Sequence, residues 1–164
     1  MQLNAHKIIP WRGFTLIELL VVLVIVGVLL ASIVVKTLPD QRQILRQEAT
    51  RLGLLLEHAR EEAFLSGRSI AWSAQNERYG FWRLNAERQW TPITNHQTLR
   101  LRSLAPAVRL AALTISQVKV PLSERLVFSP SGLNTPFVAT LALHDHQLRL
   151  VGDHNGQVKI EDEH

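Results

Sequence analysis

The sequence predicts an α+β chain, a long N-terminal helix packed on a C-terminal antiparallel β-sandwich-like domain. Three observations predict it. Between Phe14 and Val35 the only ionisable residue is Glu18. Further on, Leu45, Ala49, Leu52, Leu56, Ala59 and Ala63 recur at spacings of 4, 3, 4, 3 and 4, one apolar face of a helix. Beyond Gly67 the apolar period falls towards two, and short runs rich in β-branched and aromatic residues alternate with polar turns.

Residues 1–13 are polar and weakly basic, with Pro10 near their end, and are expected to have no fold of their own. Residues 14–35 read as a transmembrane helix. At about 1.5 Å per residue they reach roughly 33 Å, enough for a hydrocarbon core of about 30 Å. Val, Ile and Leu dominate the run, but it is too long for an ordinary strand, and in lipid the backbone must satisfy its own hydrogen bonds. A conventional secretory signal has a shorter apolar part and a better cleavage site than Ala31-Ser32-Ile33. A plain single-pass anchor accounts for the length but not for Gly13 and Glu18 together.

Residues 36–67 continue the helix in amphipathic form. Pro39 interrupts or bends it, and Asp40 is placed to cap its restart. Glu48 with Arg51 and Glu57 with Arg60 are spaced for i,i+3 pairs. Gly67 is a natural stop. The apolar stripe is short and uses Ala at three positions, which favours packing on the protein's own sheet over a coiled coil.

Residues 68–164 read as seven to nine strands. Ile70 and Trp72 alternate with polar or small neighbours; Tyr79 to Leu84 forms a second strand, and Trp90 follows another turn. Leu99-Arg100-Leu101-Arg102 alternates, placing two arginines on one face. Strands are also expected around Val108–Leu110, Val118–Val120, Leu126–Phe128, Phe137–Leu143, Leu148–Val151 and Val158–Ile160. Ser129-Pro130-Ser131-Gly132 and Gly152-Asp153-His154-Asn155-Gly156 are strong turns.

The 164 residues carry a formal charge of +4. Lys7, Arg12, Lys36 and Glu18 precede residue 37; beyond it stand 15 basic against 13 acidic residues, a balance of +2 that does not by itself mark a nucleic-acid surface. Without cysteine there is no disulfide, thiolate metal site or cysteine nucleophile. Lys7 and Arg12 before the apolar run and Lys36, Arg42 and Arg46 after it leave either membrane orientation open on charge alone.

Gly13-Phe14-Thr15-Leu16-Ile17-Glu18, preceded by a basic leader and followed by the apolar run, resembles the type IV prepilin signal of pilins and pseudopilins over Arg12 to about Ala31. The resemblance implies cleavage after Gly13 by a prepilin peptidase on the cytoplasmic face, with loss of residues 1–13, and N-methylation of the new N-terminus, Phe14. It also implies that Glu18 pairs with the terminal amine of a neighbouring subunit. A carboxylate beside lipid is costly without such a partner.

Three further segments resemble the GspH/FimT group of minor pseudopilins: Leu55-Leu56-Glu57-His58-Ala59-Arg60-Glu61-Glu62-Ala63 with Gly67-Arg68, Phe128-Ser129-Pro130-Ser131-Gly132, and Gly152 to Val158. This resemblance implies a structural subunit of a type II secretion pseudopilus, at or near its tip. The chain would cross the bacterial inner membrane once, N-terminus cytoplasmic and β domain periplasmic. Its partners would be other major and minor pseudopilins, the inner-membrane assembly platform and, before assembly, membrane lipid. The alternative is a FimT-like minor pilin that binds DNA for uptake, with Arg100, Arg102 and Arg109 as the contacts. The acidic end Glu161-Asp162-Glu163 argues against phosphate there.

No catalytic set stands out. Ser129 and Ser131 flank Pro130 outside any nucleophile-elbow context, and the adjacent Glu61 and Glu62 diverge on a helix. His144, Asp145, His146, Asp153 and His154 lie in two turns flanking one hairpin, close enough in sequence to be weighed as metal ligands. Turns collect His and Asp without a metal, and residues 152–156 hold too few carboxylates for calcium. No metal and no cofactor are expected.

Overall fold

The apolar run forms α1, Leu16–Thr37, and the amphipathic stretch forms α2, Gln41–Ser66. The computed structural model describes residues 15–37, 40–75 and 77–162, with side chains of α1 only through Leu30. Residues 1–39 and 40–164 are two separate units. In the first, the large apolar side chains of α1 from Leu16 to Leu30 are exposed. Among the described residues no helix is long and apolar enough to cross a membrane.

Both caps of α2 follow from the sequence. Asp40 accepts the Arg42 amide at 3.2 Å, and Gly67 ends the helix in the left-handed region at φ 65°, which costs glycine little. The six stripe residues are all fully or almost fully buried. They pack on two antiparallel sheets.

The first sheet holds β1 (Ile70–Gln75), β2 (Arg78–Leu84), β3 (Trp90–Pro92), β4 (Arg102–Ser103) and β7 (Leu126–Phe128). Its order is β3-β2-β1-β7, with β4 also paired to β2. The second holds β5 (Arg109–Ile115), β6 (Val118–Val120), β8 (Phe137–Leu143), β9 (His146–Gly152) and β10 (Val158–Asp162), in the order β10-β9-β8-β5-β6. One core joins them: Leu52 and Leu56 of α2, Trp72, Phe81 and Phe128 of the first sheet, and Leu113, Leu141 and Leu150 of the second. The α+β class and the sandwich-like domain read from the pattern are therefore present.

The described residues form ten strands against the seven to nine expected, the excess being short pieces such as Arg102–Ser103, and local readings differ in three further places. The alternating run Leu99–Arg102 is not a strand: residues 97–100 bend, and only Arg102–Ser103 pairs with β2. Side chains take the place of a ladder there. His96 Nδ1 accepts the amides of Thr98 and Leu99 at 3.2 and 3.0 Å, and the Arg102 guanidinium donates to the carbonyls of Gln97 and Thr98. Second, β5 extends well past Leu110, through a register shift between Leu110 and Ala112. It joins β6 by a two-residue turn in which Ser116 and Gln117 both have positive φ. Third, Glu57 does not pair with Arg60. Its Oε1 accepts the Val158 amide at 3.0 Å, whereas Glu48 and Arg51 do pair, at 2.6 Å.

Candidate assembly site

At the N-terminal end of the described chain, Thr15 and Glu18 stand in the spacing of a capping box. The Glu18 amide donates to the Thr15 carbonyl at 3.1 Å and to its Oγ1 at 3.4 Å. The Glu18 side chain is exposed and enters no ion pair among the described residues. Its carboxylate in the first turn is well placed against the helix dipole and open to an external cation. Gly13 and Phe14 lie outside the described residues.

In the second unit, the C-terminal half of α2 meets two turns. Asn134, 7% exposed, is the hub. Its Oδ1 accepts the Ser129 amide at 3.1 Å, its Nδ2 donates to the Gly132 carbonyl at 3.0 Å, and its own amide donates to the His154 carbonyl at 3.0 Å. The side chain thus closes the 129–134 turn, and the backbone amide of the same residue ties that turn to the one after β9. In that second turn Asp153 Oδ1 accepts the amides of Asn155 and Gln157, both at 2.9 Å. Gly156, at φ 74°, lies so close to Arg60 of α2 that a Cβ would overlap its side chain. Val158, two residues on, donates to Glu57. All three sequence segments singled out above therefore converge. Asn134 carried no signal of its own in the sequence beyond standing two residues after a turn glycine, and Arg60 stood out only as a partner for Glu57, not for Gly156.

This junction is a structural fixture. Ser129 and Ser131 bond each other through their hydroxyls at 2.8 Å and shape the turn. Beyond Gly132, the exposed Phe64 of α2 lies 4.0 Å from the position a Cβ would take, with the exposed Leu133 next along the chain. A second polar contact, Arg51 to Glu48, is extended by a bond from Arg51 to the Ser103 carbonyl at 2.8 Å. Beneath it the Tyr79 hydroxyl is buried without a hydrogen bond. Burial pushes its pKa up, and the nearby Arg51 guanidinium offsets only part of that. Burial alone would lower the Arg51 pKa, but the bond to Glu48 and the neighbouring Tyr79 outweigh it and the value is raised.

The arginines of the DNA reading fall in different places. Arg100 is exposed on the bend, Arg102 is half-buried and committed to its carbonyl bonds, and Arg109 is exposed on β5 of the other sheet. The His/Asp turns also separate, because His144-Asp145 precedes β9 and Asp153-His154 follows it. Seven residues of strand hold them about 20 Å apart. Of the tryptophans, Trp72 is buried, while Trp82 and Trp90 flank the Arg125 guanidinium at 4.8 and 5.9 Å.

Residues 48–156 match the family model described as Type II transport protein GspH, and residues 12–34 match the prokaryotic N-terminal methylation motif. The type II secretion system protein H of Pseudomonas aeruginosa is 37% identical over 84 residues, 50% of this chain and 49% of that protein, so the match spans about half of each. The fold is similar to that of the minor pseudopilin EpsH from the type 2 secretion system of Vibrio cholerae. There the TM-score is 0.62 at 20% identity, over 76% of this chain and 98% of that one. The solution structure of Escherichia coli GspH gives a TM-score of 0.57 at 17% identity, over 73% and 88%. The type IV minor pilin FimU of Pseudomonas aeruginosa gives 0.51 at 20%, over 75% and 90%.

Proposed function

Since residues 48–156 match its model, the chain belongs to the GspH family of type II transport proteins, and on that premise we propose that it is a minor pseudopilin. In this reading it is a structural, non-catalytic subunit, at or near the tip, of a type II secretion pseudopilus that supports protein export across the outer membrane. The observation that carries the reading is the joining in one chain of an N-terminal methylation motif, at 12–34, to a GspH domain, at 48–156.

The likeness of residues 12–34 to the N-terminal methylation motif supports the following steps. Cleavage after Gly13 exposes Phe14 as an amine, which is then methylated. The apolar segment 14–35 holds the subunit in the inner membrane with the β domain in the periplasm. On assembly that segment leaves lipid for the packed apolar helices of the filament. There the exposed Glu18 pairs with the Phe14 amine of a neighbour. The pair sets axial register because an unpartnered carboxylate is costly in an apolar surrounding, while a paired one is tolerated. The domain supplies a rigid body: the Glu57–Val158 bond and the Gly156–Arg60 contact hold the C-terminal half of α2 to the turn between β9 and β10, and Asn134 ties that turn to the 129–134 turn, so force along α2 reaches the domain as a unit.

The test is co-isolation of the full-length chain from membranes that also carry the other pseudopilins of a type II system, with double-stranded DNA offered in parallel. Recovery with pseudopilins, and loss of export when the chain is deleted, are expected. Salt-sensitive retention of DNA without a pseudopilin partner would transfer the function to DNA uptake, with the exposed Arg100 and Arg109 as residues to replace.

A further inference from the structure

An open groove of about 870 Å³ lies where the first turns of α2 face the β8–β9 turn and the end of β10. Arg42 and Arg46, one helical turn apart, line it from the helix; Asp145, His146 and Asp162 line it from the sheet. Leu45 and Leu148 form its apolar floor. None of these four formal charges enters an ion pair among the described residues, although all four border one cavity. Two cations and two anions therefore border one open space without pairing among the described residues.

We propose that this groove binds the headgroup of a zwitterionic phospholipid carrying a primary ammonium, before the subunit is assembled. The inference rests on the membrane anchoring stated above. The guanidiniums of Arg42 and Arg46 take the phosphodiester, with a ring N–H of His146 available as a further donor, and the carboxylates of Asp145 and Asp162 accept from the ammonium. A purely anionic headgroup would meet the two carboxylates, and a trimethylammonium would offer them no N–H donor. Arg42 follows Thr37, the last residue of α1, by five residues along the chain. The volume is in the range of small-ligand sites.

The full-length chain is reconstituted in vesicles of equal parts phosphatidylethanolamine, phosphatidylglycerol and phosphatidylcholine, and retained lipid is read by native mass spectrometry. Phosphatidylethanolamine should be retained over the other two. Arg42→Gln with Arg46→Gln should lower that retention roughly fivefold, the worth of two exposed ionic contacts. Asp145→Asn with Asp162→Asn should abolish the preference over phosphatidylcholine. All four side chains are exposed, so both double variants should keep the wild-type melting temperature. Equal retention of the three lipids, no retained lipid, or a preference untouched by both double variants overturns the proposal. Sedimentation after an alkaline wash separates the two readings. A chain that stays with the vesicles but retains lipid without selection refutes the groove alone, whereas a chain released by the wash refutes the anchoring and the groove with it.

Discussion

Glu57 and Val158 are 101 residues apart in sequence, yet the Glu57 carboxylate accepts the Val158 amide at 3.0 Å. The bond fastens α2 to the first residue of β10, an edge strand whose ladder partner among the described residues is β9 alone. Glu57→Ala would leave that partly buried amide without its acceptor and should lower unfolding free energy by about 1–3 kcal/mol. Glu57→Gln keeps a carbonyl oxygen in reach and should lose less. Urea unfolding of both variants checks this, and equal losses would show that charge, not the hydrogen bond, matters.

Gly156 combines a positive φ with contact against Arg60. Gly156→Ala adds backbone strain and a steric overlap, with an expected cost on the order of 2 kcal/mol. Arg60→Ala should recover the steric part only. In a double-mutant cycle the two substitutions should therefore be non-additive, and strict additivity would mean that the overlap is relieved elsewhere.

Tyr79 offers a test in pH. Its folded pKa lies above the ordinary tyrosine value of about 10 because burial disfavours the phenolate. Above that pH the unfolded chain releases the proton first, so the folded state binds more protons and stability falls as pH rises. Below it the group contributes no slope. Tyr79→Phe should flatten the alkaline limb of a stability–pH curve. At neutral pH it should cost less than about 1 kcal/mol, since the hydroxyl lies beside the Arg51 guanidinium without a hydrogen bond of good geometry. A loss above 1 kcal/mol at neutral pH would reveal a partner for the hydroxyl.

Glu18→Ala should leave membrane insertion and leader removal intact while abolishing incorporation into filaments, read by shearing and sedimentation. Normal incorporation would remove the register role. Gly13 replaced by a bulky residue should block cleavage, and an unchanged electrophoretic mobility relative to the processed wild type would refute the cleavage site.

Much of the fold was legible because helices report locally. The 4-3-4-3-4 stripe, the Asp40 cap and the Gly67 stop each act within a few residues, and all three are present. The strand after Leu99 was misread because alternation is only half of what a strand needs. The other half is a partner, and there His96 and Arg102 satisfy the backbone instead. The β5–β6 turn was hard to read because Ser116-Gln117 adopts a conformation that Asn-Gly ordinarily marks.

By itself the sequence determined the N-terminal signal, the apolar and amphipathic helices and the antiparallel character of the rest, since side-chain period, caps and charge are properties of neighbouring residues. Only the tertiary structure decided which distant groups meet. It brought Glu57 to Val158 and Asn134 to His154, gathered Arg42, Arg46, Asp145 and Asp162 around one groove, and set the two His/Asp turns at opposite ends of β9. Strand order and loop closure are settled by packing against a shared core, and packing has no sequence period to read.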